Sequence, residues 1–64
     1  MREHELWNRM TAVLGANYVR VWAEQVALPE LGSRTVAEAL AAGTECKLIW
    51  RAVVVALELD SKYR

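Results

Sequence analysis

The feature that most constrains the fold of this chain is the stretch from Thr35 to Leu59, TVAEALAAGTECKLIWRAVVVALEL. A short helical pattern comes first, a single glycine follows at Gly43, and a longer apolar helical pattern completes the stretch. A glycine between two such patterns is typical of a helix end. We therefore expect two helices joined by a tight turn, which either pack as a plain corner or form a helix-turn-helix that reads DNA.

The first helix of this pair has a clear start signal. Thr35 and Glu38 match the capping box, in which the threonine oxygen accepts from the Glu38 amide and the glutamate side chain accepts from the Thr35 amide. We predict a helix over residues 36–42, ended by Gly43. Thr44 follows at once and is predicted to cap the next helix.

The second helix of the pair, predicted over residues 45–59, is apolar on nearly every side. A helix of this kind lies in the middle of a bundle or at a subunit interface. Two stripes are assigned to the core: Ile49, Val53, Ala56 and Leu57 on one side, and Leu48, Ala52, Val55 and Leu59 on the other. A thin polar edge consists of Lys47, Arg51, Glu58 and Lys62.

Three consecutive valines, residues 53–55, cover most of the circumference of this helix, because successive helical residues point about 100° apart. The other helices can shield only part of that circumference, so one valine is expected to face outward unless a partner covers it. We assign Val54 to that position. Trp50, Val54 and Leu57 are therefore the predicted interaction surface.

Two further helices are predicted before this pair. The first covers residues 3–14, with Leu6 and Met10 on its apolar stripe, and Gly15 is expected to end it in the left-handed conformation. The second covers residues 17–27, with Asn17 as its cap, and ends before Pro29, which disfavours helical geometry at the preceding residue. The segment YVRVW also alternates like a strand, but the helical period continues through AEQVAL and the sequence offers no partner strand.

These patterns predict an all-α fold. We expect one small domain, residues 1–64, built as a compact bundle of about four short helices with a helix-turn-helix-like corner at Gly43. Such a short chain has a small core, and its single cysteine cannot form an internal disulfide. Yet 55% of its residues are hydrophobic and three are tryptophan. This excess of apolar surface favours a protein–protein interaction module. We expect the partner to be a second copy of the chain, which would form a homodimer.

The charges of the chain balance, with eight basic and eight acidic residues and a net charge of zero. No electrostatic field is available to attract nucleic acid or an anionic membrane. The longest apolar run, residues 52–57, is far shorter than the roughly 20 residues that a membrane span needs. The charged start of the chain, MREHELW, has no apolar signal region. We therefore expect a cytoplasmic protein.

The alternative interpretation is a helix-turn-helix-like nucleic-acid-binding or regulatory protein. The helix-turn-helix motif requires a small residue in the middle of its first helix, and Ala39 takes that position in the helix predicted over residues 36–42. Its candidate nucleic-acid contacts are Arg34, Lys47 and Arg51. A reading helix needs polar side chains that reach base edges, and beyond its first turn this one is mostly alanine and valine. Three cations predict weak, strongly salt-dependent binding.

Residues suited to catalysis or metal binding are few. His4 is the single histidine, and HELWN lacks the second histidine of the zinc-protease pattern, so His4 is expected to be an exposed first-turn residue. Cys46 has no histidine partner nearby in the sequence and is expected to be half-buried. The carboxylates show no spacing that indicates acid–base catalysis. We predict no enzymatic activity, no cofactor, no metal site and no small-molecule substrate.

Several short motifs are distributed over nearly the whole chain: MREHE at the start, Trp22, LPELG at 28–32, RTVAEALAAG at 34–43 and WRA at 50–52. In these motifs the chain resembles a small actinobacterial family catalogued as a domain of unknown function. The resemblance implies a gene that is often located near recombinase genes, and it implies no active site. The chain departs from the family pattern after Gly43, where Thr44, Glu45 and Cys46 replace an apolar residue and Asp-Pro.

Overall fold

The computed structural model describes residues 1–59. Within this range the chain forms four α-helices, which are α1 (Glu3–Leu14), α2 (Val19–Gln25), α3 (Val36–Ala41) and α4 (Cys46–Ala56). A 3-10 helix, Pro29–Leu31, lies between α2 and α3. No strand occurs in the described range, so the predicted all-α fold is confirmed. Lys62, which was assigned to the polar edge of the last helix, lies outside the described residues.

α4 is the central helix of the bundle, because it packs against α1, α3 and the 3-10 helix. α2 packs against α1 and α3 on the other side of the core. The buried residues of α4 are Ile49, Trp50, Ala52, Val53 and Val54. The other buried hydrophobic residues of the described chain are Leu6, Met10, Val19, Trp22, Ala23, Leu28, Val36 and Ala39. None of the helices in this part of the chain has the length and apolar character that a membrane crossing requires.

α3 begins with a capping box. The Thr35 Oγ1 atom accepts a hydrogen bond from the Glu38 amide at 3.1 Å, and the Glu38 Oε1 atom accepts one from the Thr35 amide at 2.8 Å. Two amides that the first turn of a helix leaves without intrahelical partners are satisfied in this way. The two side chains therefore set the residue at which this short helix starts.

α3 ends in a Schellman turn centred on Gly43, whose φ is +84°. The Gly43 amide donates to the Leu40 carbonyl at 3.1 Å, and the Thr44 amide donates to the Ala39 carbonyl at 3.0 Å. The Thr44 amide thus completes the end of α3, and the prediction that Thr44 caps α4 is wrong, because Thr44 is not at the N-cap position of that helix. Glu45 holds the N-cap position of α4, and its side chain makes no capping hydrogen bond.

The remaining helix ends differ from the sequence-based predictions in detail. Gly15 ends α1 with its amide bonded to the Thr11 carbonyl at 2.8 Å, but its φ of 90° and ψ of 146° lie outside the left-handed helical region. Asn17 does not cap α2, which has Tyr18 at its N-cap position. α4 ends at Ala56, three residues earlier than predicted, in a second Schellman turn in which Glu58 adopts a φ of +52°.

Candidate interaction surface

The water-exposed side of α4 carries two large apolar side chains. Leu48 is 48% exposed and Val55 is 49% exposed. Residues seven apart lie on the same face of a helix, about two turns from each other. Lys47 and Arg51 are exposed on the same side of the helix. We call these four residues, Lys47, Leu48, Arg51 and Val55, the outer face of α4.

The interaction surface predicted from the sequence is turned inward instead. Trp50 is 3% exposed and Val54 is 1% exposed, and Leu57 is a partly buried residue packed against the core. The orientation of α4 follows from its neighbours: Arg9 of α1 lies over the Trp50 ring, so the side of α4 that contains the indole faces α1. The outward assignment of Trp50 and Val54 is therefore wrong, and so is the assignment of Leu48 and Val55 to the core.

Two open grooves lie on either side of Arg51. The first has a volume of about 820 Å³, lies between α1 and α4, and is bordered by Val55. The second has a volume of about 370 Å³, is bordered by Leu48, and includes Leu31 of the 3-10 helix in its lining. Arg51 and Glu30 line both grooves, so the two grooves adjoin at these residues. Each exposed apolar side chain of the outer face of α4 thus borders one groove.

The charges around the first groove are of both signs. Arg9, Lys47 and Arg51 contribute cations, and Glu5 and Glu30 contribute carboxylates. The Cζ atom of Arg9 lies 5.8 Å from the centroid of the Trp50 ring, which is within the range of a cation–π interaction. A partner that binds here meets apolar side chains surrounded by both positive and negative groups.

The candidate nucleic-acid contacts are only partly brought together. Lys47 and Arg51 line the first groove, whereas Arg34 lines neither groove and is exposed at an isolated antiparallel bridge with Leu28. The structure adds Arg9 to the cations of the groove. Sequence reasoning missed Arg9 and Glu30, because each reaches the outer face of α4 only through tertiary packing, and no local pattern indicates that contact.

The residues considered for catalysis or metal binding, His4 and Cys46, lie outside this surface. His4 is exposed in the first turn of α1, and Cys46 is a half-buried free thiol at the first position of α4. In residues 1–59 no group of three or more histidine, cysteine, aspartate or glutamate side chains is arranged to hold a metal ion. Neither residue lines one of the two grooves.

The fold and this surface define a small all-α domain whose central helix is exposed along one mixed apolar and charged face. The chain belongs to the family described as "Protein of unknown function (DUF3046)", whose family model matches residues 1–61. The predicted resemblance to a family of unknown function is therefore confirmed. Comparisons with curated proteins and with solved structures found no match.

Proposed function

We propose that this protein is a non-enzymatic protein–protein interaction module that self-associates through the outer face of α4. The observation that carries this proposal is the exposure of Leu48 and Val55 on one face of a helix whose other sides are buried. Covering apolar surface contributes about 25 cal/mol per Å². Contiguous apolar patches rimmed by polar residues mark interaction sites, and Leu48 and Val55 share one face of α4 with Lys47 and Arg51.

The charge distribution supports a second copy as the partner. The chain has a net charge of zero, so two copies approach each other without overall repulsion. Arg51 and Glu30 both line both grooves, so one copy offers a cation and a carboxylate to the other. Because the apolar part of the face is small, the dimer is expected to be weak and concentration-dependent.

The experiment is light scattering and sedimentation over a wide range of protein concentrations, with Val55→Lys compared with Val21→Lys. Val21 is a matched control, since it is an exposed valine at 47% on α2, away from the proposed surface. We expect the wild type and Val21→Lys to dimerise alike, and Val55→Lys to remain monomeric while keeping its helical circular dichroism. A wild type that stays monomeric at every concentration, or equal loss in both variants, overturns the proposal.

We also propose that the module works in the cytoplasm. Cys46 is a free, half-buried thiol in the structure. Reduced cysteines are typical of cytosolic proteins, whereas oxidising compartments favour disulfides. Expression of a tagged chain in its native cells, followed by fractionation, tests this location directly, and recovery in the culture medium or the membrane fraction contradicts it.

A second candidate function is weak nucleic-acid binding at the groove between α1 and α4. Its support is that Arg9, Lys47 and Arg51 line one groove. Three phosphate contacts give a salt slope of about −2.7 on logarithmic axes and no base discrimination. Fluorescence anisotropy with labelled duplexes at low and at physiological salt tests it. Tight binding to a single sequence at physiological salt, lost in Arg51→Ala, would promote this candidate above self-association.

A further inference from the structure

We propose that two copies pair with their α4 helices antiparallel, about a two-fold axis that passes beside Arg51. This inference rests on the proposed self-association and adds its geometry. Leu48 stands three residues before Arg51, and Val55 stands four residues after it. A two-fold axis at the midpoint of these two apolar residues exchanges them, so that Leu48 of each copy faces Val55 of the other, as an isologous interface requires.

The two grooves fit this exchange. One groove is bordered by Val55 and the other by Leu48, and Arg51 lies between them. An antiparallel partner therefore inserts its Leu48 into the groove of about 820 Å³ beside Val55, and its Val55 into the groove of about 370 Å³ beside Leu48. The larger of the two side chains enters the larger groove. The surface is complementary to itself, with each side chain seated in a concave site of the other copy.

The charges favour the antiparallel arrangement over the parallel one. Parallel helices would align Lys47 with Lys47 of the second copy, and like charges directly opposite are destabilising, whereas Arg51 meets Arg51 in either arrangement and does not discriminate between them. In the antiparallel pair the two Lys47 side chains lie at opposite ends of the interface. The two Arg51 side chains approach the axis, where Glu30 of each copy, which lines both grooves, can accept hydrogen bonds from Arg51 of the other.

Disulfide trapping tests this geometry in a Cys46→Ser background, in which the native thiol is removed. In the antiparallel pair two copies of residue 48 are separated by about 10 Å along the helix axes, whereas residue 48 of one copy and residue 55 of the other are level. A disulfide needs Cα atoms roughly 4.4–6.8 Å apart. We expect a mixture of Leu48→Cys and Val55→Cys to accumulate the mixed covalent dimer under mild oxidation, while either variant alone stays largely monomeric. Val21→Cys on α2 supplies the background of random collision.

The outcomes separate this inference from the proposed function. If the reduced Cys46→Ser protein sediments as a monomer at all concentrations, self-association itself fails. If it dimerises but Leu48→Cys alone crosslinks fastest, the helices are parallel and only the antiparallel geometry is overturned. If the protein is dimeric but all the cysteine variants crosslink slowly and equally, the interface lies elsewhere. That result overturns both the outer face of α4 as the interface and the antiparallel geometry.

A charge reversal checks the same axis without introducing thiols. Arg51→Glu places four carboxylates near the axis and is expected to abolish dimerisation, and so is Glu30→Arg, which places four cations there. The double variant Glu30→Arg with Arg51→Glu restores opposite charges and is expected to dimerise again. Failure of the double variant to recover, while its helical circular dichroism matches the wild type, contradicts the pairing of Glu30 with Arg51 across the axis.

Discussion

Arg9 of α1 lies over the indole ring of Trp50 of α4, with its Cζ atom 5.8 Å from the ring centroid. Trp50 is 3% exposed, so its ring belongs to the core, and the guanidinium of Arg9 covers it at the surface. This contact joins the first helix of the chain to the central one. It also forms part of the wall of the larger groove, so stability and the candidate surface share these two residues.

Arg9→Met should therefore destabilise the fold. Methionine keeps the apolar stem that packs beside the ring but removes the cation, and a cation–π contact at an exposed site contributes about 0.5–1 kcal/mol. Urea unfolding followed by circular dichroism measures the loss. Arg20→Met, at an exposed arginine on α2, is the matched control and should leave the free energy of unfolding nearly unchanged. Equal losses in the two variants would show that the contact with Trp50 contributes nothing specific.

Thr35→Ala should lower the melting temperature. The Thr35 Oγ1 atom accepts a hydrogen bond from the Glu38 amide at the start of α3, and losing an N-cap of this kind costs about 0.5–2 kcal/mol. For a domain of this size each kcal/mol corresponds to roughly 4–8 °C. Thr35→Ser retains the accepting oxygen and should melt close to the wild type. An unchanged melt for Thr35→Ala means that the capping box does not stabilise α3 in solution.

Glu58→Gly should make the protein more stable. Glu58 has a φ of +52° at the end of α4, and this left-handed conformation costs a residue with a Cβ atom roughly 1–2 kcal/mol. Glycine avoids that cost but loses more chain entropy on folding, so the net gain is about 0.5–1 kcal/mol. Glu58→Ala removes the charge and keeps the Cβ atom, which separates the conformational effect from the electrostatic one. At the equivalent position of α3, Gly43→Ala should have the opposite sign, since no atom lies within 4 Å of an added Cβ and only the φ of +84° opposes it.

Short-range signals explain what the sequence predicted well. The capping box needs only Thr35 and Glu38, three residues apart, and the turn at Gly43 needs only one residue that tolerates a positive φ. These interactions form within one turn of chain, so they can be read from neighbouring residues. The prediction that α2 is a helix also rests on neighbouring residues, because the helical period continues past the strand-like YVRVW.

The orientation of α4 could not be predicted in the same way. A helix that is apolar nearly all round has no preferred face, so its periodicity does not decide which residues enter the core. That decision is made by α1 and the 3-10 helix, which pack on α4 from distant parts of the sequence. Leu48 and Val55 are left outside, while Trp50 and Val54 are covered. The outer face of α4 depends on this rotation, and Arg9 and Glu30, which line the larger groove beside it, come from those same packed elements.

Val54 and Val55 give the sharpest test of this orientation, because they are adjacent and chemically identical yet 1% and 49% exposed. Val54→Lys places an ammonium group in the core without a partner, which costs several kcal/mol. A domain of this length has a stability of only about 3–5 kcal/mol, so Val54→Lys should be unfolded at room temperature. Val55→Lys leaves its ammonium group in water and should keep both the helical circular dichroism and a cooperative melt. The measurements belong at low protein concentration, so that loss of self-association in Val55→Lys does not contribute to the difference. If Val54→Lys melts like Val55→Lys, then Val54 is not in the core of the isolated chain, α4 is rotated relative to the structure, and the outer face must be assigned to other residues.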